Sequence, residues 1–100
     1  MDEINYILNE LQSLWDQIER KRDFTDYTMG ECEKIAMKAK NLISPLLDDP
    51  EYNVSVKKAI AYFDEAKEYS DTHHRGGNKR DSSSIMDVLT NTKFGLEEML

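Results

Sequence analysis

Between Ile4 and Ile18 the apolar residues advance in steps of three and four: Ile4, Ile7, Leu8, Leu11, Leu14, Trp15 and Ile18. That spacing gathers them on one stripe of an α-helix and cannot be read as the alternation of a half-buried strand. A helix with one apolar stripe has to hide it against other elements, so the chain is predicted to be all-α. Asp2 and Glu3 stand at the start of the stripe, and Arg20, Lys21 and Arg22 at its end. Both signs complement the helix dipole, which sets the first helix at about residues 2–22.

The same period returns three more times. Asp23 to Tyr27 reads as a connection, after which Thr28-Met29-Gly30-Glu31 fits a capping box. A stripe of Cys32, Ile35, Ala36, Ala39, Leu42, Ile43, Leu46 and Leu47 comes next. Pro45 removes a backbone donor and crowds the turn before it, so this second helix is expected to span 28–43 and then stop or kink. Asp49-Pro50-Glu51 looks like the next start: a capping carboxylate, a proline at the first helical position, then an acid. The third helix, 50–71, carries Tyr52, Val56, Ala59 or Ile60, Phe63 and Ala66 as its core line, and a second apolar line of Ala59, Tyr62, Ala66 and Tyr69 lies beside it. Gly76-Gly77-Asn78 is loop chemistry, which makes 73–83 a flexible basic connection. Ser84 with Asp87 forms an acid-terminated capping box for a fourth helix, 84–99, whose stripe is Ile85, Leu89, Thr92, Leu96 and Met99, widened by Met86, Phe94 and Leu100. Gly95 costs that helix about 1 kcal/mol relative to alanine and marks it as the weakest of the four.

The predicted architecture is a small antiparallel bundle of four helices over residues 1–100, since short connections make consecutive helices antiparallel neighbours. The alternative is a three-helix core with a loosely docked or swapped C-terminal helix. Ile7, Leu11, Leu14, Ile18, Ile35, Leu42, Ile60, Phe63, Leu89 and Leu96 are the expected core. A single domain of 100 residues buries somewhat over roughly 60% of its unfolded surface, enough for one core.

Composition narrows the function classes. Hydrophobic residues at 39% are too many for a disordered chain, and charged residues at 33% are too many for a membrane span. The longest stretch without a charge, Asn41 to Leu47, falls far short of the roughly 20 residues a membrane helix needs. Acids follow Met1 where a secretory signal would place cations, so a cytoplasmic protein is expected. The net charge is −7, and every segment is mildly acidic except 72–81. Direct nucleic-acid binding, which rests on a basic face, is therefore not expected.

Catalytic and metal signatures are missing. Di-iron bundles need Glu-x-x-His motifs pointing inward from two helices, and none is present. The two histidines, His73 and His74, are adjacent beside the glycine loop, where neighbours point in different directions. Ser82, Ser83 and Ser84 lie near them in sequence, but helix capping accounts for those serines more simply than nucleophilic catalysis. Gly76-Gly77 lacks the spacing and the Lys-Ser/Thr of a phosphate loop. Cys32 is flanked by Glu31 and Glu33, which disfavour a thiolate, and a lone cysteine makes no internal disulfide. No enzyme activity, cofactor or metal is expected.

Two surfaces are left as binding candidates. One is the basic connection, His73, His74, Arg75, Lys79 and Arg80, whose ordinary role is a solvated loop offsetting acidic helices and whose functional role is contact with an acidic partner. The other is the line of Tyr62 and Tyr69, which is either covered inside the bundle or presented to a second copy or another protein. The leading expectation is a non-enzymatic protein-interaction module of the regulator, inhibitor, immunity or adaptor type. The alternatives are an acidic decoy for the nucleic-acid site of another protein and, third, a small enzyme or metal carrier. The decoy is weakened by Lys34, Lys38, Lys40, Lys57, Lys58 and Lys67, which interrupt the carboxylates.

Overall fold

The computed structural model describes the backbone of residues 2–74 and 82–100 and, among these, the side chains outside 72–74 and 82–83. It is an all-α four-helix bundle: α1 (Asp2–Lys21), α2 (Asp26–Ile43), α3 (Asn53–His74) and α4 (Ser82–Glu97). A short 3-10 helix, Ser44–Asp48, links α2 to α3. Consecutive helices run antiparallel. Lys38 Nζ lies 3.1 Å from Glu10 between α1 and α2, and Ser70 donates to Glu33 while Lys40 faces Asp64 between α2 and α3. The body is a flattened slab, 41 × 25 × 15 Å. It is flat because α1 and α3 sit at opposite sides, and α2 and α4, packed against each other, separate them.

Each boundary has a local cause. α1 ends in a Schellman-type turn: Arg22 takes φ 53°, and the Asp23 amide donates to the Ile18 carbonyl. The cap of α2 is Thr25, one turn earlier than the expected Thr28, and its hydroxyl accepts from the Thr28 amide. Thr28 is instead buried inside the first turn, its own hydroxyl 3.1 Å from that of Thr25. α2 stops at Ile43 as Pro45 requires, and the chain tightens into the 3-10 turn. Asp49 does cap the next turn, accepting from the Glu51 amide at 2.9 Å, although regular α-helix starts only at Asn53. α3 outlasts its expected end at 71 and runs to His74. α4 begins at Ser82, so Ser84 lies within the first turn and is not the cap. The connection expected at 73–83 therefore narrows to 75–81, which lies outside the described residues.

Seven of the ten expected core residues are buried; Leu14, Leu42 and Ile60 are half-buried at the margins of their stripes. The larger correction concerns α3 and α4. The buried line of α3 is Val56, Ala59, Phe63, Ala66 and Ser70, so of the expected pair Ala59 or Ile60 it is Ala59 that lies fully inside, while Tyr52 and Ile60 are half-buried. α4, expected to be the weakest helix, is the most enclosed. Ile85, Val88, Leu89, Asn91, Thr92, Leu96 and Met99 are all buried, and α4 packs against each of the other three helices. Its two buried polar side chains are satisfied within the helix: Thr92 donates to the Val88 carbonyl at 2.7 Å and Asn91 to that of Asp87 at 3.0 Å. A three-helix core with a loosely docked fourth helix does not describe this packing.

Candidate functional site

The closest helix pair is α3 with α4, and small residues are the reason. A Cβ built on Gly95 would stand 2.4 Å from Cε1 of Phe63, well inside contact distance. Glycine at 95 therefore lets the Phe63 ring lie directly on the α4 backbone. Ala59 and Ala66, on either side of Phe63 along α3, take up little room between the helices. What costs helix propensity at Gly95 is repaid by burial of a full aromatic ring.

This approach brings Tyr62 beside Phe94. Their rings meet edge to face, with centroids 5.6 Å apart and an interplanar angle of 61°. Such a pair contributes about 0.5–1.5 kcal/mol beyond its buried area. It is only half hidden: Tyr62 is partly buried, whereas Phe94 is 45% exposed. Leu100, 66% exposed, completes a shallow hollow of about 280 Å³ with Tyr62, Phe94, Glu97 and Glu98. Tyr69 lies two turns further along α3 on the same flank and is 38% exposed. The outer α3/α4 seam thus exposes several apolar side chains around an aromatic pair fixed by intrachain packing, with carboxylates lining the same hollow.

The structure keeps Tyr62 and Tyr69 on one flank but changes their setting, because the neighbouring Ala59 and Ala66 are buried in the core and Tyr62 packs on Phe94 of α4. His73 and His74 fall in the last turn of α3, with side chains outside the described residues, as are Arg75, Lys79 and Arg80 altogether. Phe94 and Leu100 are the additions to the site. The signal for Phe94 is its angular position: it lies about 200° around the helix from Leu96, on the side away from the stripe of Ile85, Leu89, Thr92 and Leu96.

Two other seams differ in character. Along α1 and α2 runs an open groove of about 580 Å³ with Tyr6, Leu14 and Ile35 on its walls, and the Glu10–Lys38 ion pair spans it. Between α2 and α3 a smaller depression of about 320 Å³ exposes Met37 above Phe63, Ala66 and Val88, with Lys40 3.9 Å from Asp64 at its rim. On these seams Lys34 pairs with Glu31, Lys38 with Glu10 and Lys40 with Asp64. On the α3/α4 seam Glu65, Glu97 and Glu98 have no cation within 4 Å among the described residues.

Chemistry at other positions is muted. Cys32 is fully buried, and its thiol is pushed up to about 12, first by burial and then by Glu33 and Glu31, so it stays protonated and unreactive at neutral pH. Ser70 and Glu33 form a cross-link between α2 and α3. Among the described residues no three histidine, cysteine, aspartate or glutamate side chains converge to hold a metal ion, and no helix is long and apolar enough to cross a membrane. Comparison of the chain with protein-family models, with curated proteins and with solved structures gives no match.

Proposed function

We propose that this chain acts as a non-enzymatic protein-interaction module, a regulator, inhibitor or adaptor, and that the outer α3/α4 seam is the surface that meets its partner. The observation that carries this reading is the Tyr62–Phe94 pair, held in place by packing yet left open with Leu100 beside it. Clustered large side chains left exposed on a globular protein are candidate contact points, and rigid aromatics make effective anchors because little side-chain freedom is lost on binding. The acidic-decoy alternative is less well supported, since Glu10, Glu31 and Asp64 are each bridged by a lysine and the unbridged acids of the α3/α4 seam are interrupted by exposed apolar side chains and lysines.

Photo-crosslinking in the native host tests the proposal. A photoreactive phenylalanine at position 94 is expected to trap a discrete partner, whereas the same group at the exposed Tyr27, remote from the seam, is not. The trapped protein, purified and titrated by calorimetry, should bind Phe94→Ser at least about tenfold more weakly than the unaltered chain, the loss typical of a hot-spot residue. Equal affinity for Phe94→Ser, or adducts only from position 27, would remove the seam from consideration.

A further inference from the structure

We infer that the segment received by the α3/α4 seam is a cationic amphipathic helix, an inference that rests on this seam being the contact surface. The charged side chains lining the hollow around Tyr62, Phe94 and Leu100 are Glu97 and Glu98, both carboxylates. Glu65 extends the acidic rim along α3, three residues after Tyr62 and four before Tyr69, which places it on their flank. Asp87, seven residues before Phe94, continues the rim on α4. The opposing charges are Lys58, one turn before Tyr62, and Lys93, next to Phe94 and one turn before Glu97, so two cations stand against four carboxylates, and neither lysine has a carboxylate within 4 Å among the described residues.

The balance is therefore negative around the exposed aromatic and leucine side chains, and Glu65, Glu97 and Glu98 lack the lysine pairing that Glu10, Glu31 and Asp64 have beside α2. Such a rim repels an acidic segment and draws in one whose apolar residues are flanked by lysine or arginine. The spacing of the anchors selects a helix. Tyr62 and Tyr69 are seven residues apart, about 10 Å along α3, which is also the distance between positions i and i+7 of a helix laid along the seam. A partner helix with large apolar residues at i, i+3 and i+7 sets one in the hollow and another against Tyr69, while its flanking cations reach Glu97, Glu98 and Glu65.

The probe is a pair of synthetic helical peptides that share leucines at i, i+3 and i+7 and differ only in flanking lysines or glutamates. Each is titrated into the full chain labelled with nitrogen-15. The lysine peptide is expected to shift the backbone amides of Tyr62, Glu65, Tyr69, Phe94, Glu97 and Glu98. The glutamate peptide should bind at least about tenfold more weakly at 50 mM salt, with the gap shrinking toward 500 mM as the charges are screened. Glu97→Gln combined with Glu98→Gln preserves side-chain shape, and with unchanged helicity it should weaken the lysine peptide several-fold and flatten its salt dependence. Equal binding of both peptides on this seam would overturn the cation preference while leaving the seam as a contact surface. Shifts centred on the α1/α2 groove or the α2/α3 depression would overturn the seam itself. No binding of the lysine peptide would overturn the inference, and crosslinking at Phe94 would then decide the contact surface independently.

Discussion

α1 and α4 are opposites in how a helix is specified. α1 has the clearest stripe in the chain, yet it sits at one side of the slab, leaves Leu8, Leu14 and Trp15 half-buried, and has no contact with α3 among the described residues. α4 has a ragged pattern broken by Asn91, Thr92 and Gly95, yet it packs against all three other helices. A sharp stripe means that a helix buries one side only. A blurred stripe on a helix rich in small and self-satisfied polar residues means that several neighbours surround it. The two helices also differ in glycine. The αL position at the end of α1 carries Arg22 where a glycine would be strain-free, whereas α4 keeps a glycine that its helical backbone does not need.

The largest expected effect tests whether the hub outweighs the edge. Leu11 and Leu89 are both fully buried, so transfer energy alone predicts the same loss for either truncation. Because three neighbours enclose α4, its cavity collapses less, and Leu89→Ala is expected to cost about 4–5 kcal/mol against about 2–3 for Leu11→Ala. Urea unfolding measures both. Equal losses would show that α4 is no more central than α1.

The second effect pits propensity against packing at one position. Gly95→Ala should stabilise an isolated helix by about 1 kcal/mol. In the bundle the new methyl collides with a buried ring, and the expected net result is a loss of about 1–3 kcal/mol. Phe63→Leu should make the same alanine less harmful in a double-mutant cycle, because the colliding ring is gone. A stabilised Gly95→Ala protein would mean that α3 and α4 stand far enough apart to admit the methyl.

At the end of α1 the same reasoning runs in reverse. Arg22→Gly should stabilise by up to about 1 kcal/mol, since relief of the positive φ exceeds the entropy that glycine adds to the unfolded chain. A thermal melt lower than that of the unaltered chain would contradict the left-handed turn.

The smallest effect arises from Asp23 beside it. Its carboxyl is held below the ordinary value of 3.8, first by the Thr25 hydroxyl, which donates to it at 2.9 Å, and then by Thr28. A depressed carboxyl stabilises the fold above its unfolded value, and that contribution fades as pH falls through the folded one. Asp23→Asn should therefore lower the melting temperature at pH 6, and the gap should close progressively below pH 3.8. A gap that persists undiminished at low pH would assign the effect to the turn and not to the charge.

Legibility in the sequence varies with the range of the interaction. The helix count, the stop at Pro45 and the carboxylate cap at Asp49 depend on residues within one or two turns, and all three can be read along the chain. The cap of α2 slips from Thr28 to Thr25 because two threonines three residues apart can each serve an amide, and burial of Thr28 decides between them. Periodicity finds the tyrosine line, but it also counts Phe94 into the inner stripe of α4, although the helical position of that residue places it outside.

Period and local chemistry by themselves determined that this protein is all-α, where its helices begin and end to within a few residues, and that Tyr62 and Tyr69 share a flank. Only the tertiary structure decided that α4 joins α2 in the middle of the slab, why Gly95 is there, and which aromatics remain exposed. The physical reason is that a helix stripe records how many residues must be hidden, not by what. How closely α3 and α4 approach depends on Phe63 and Gly95 together, two residues 32 positions apart in the chain.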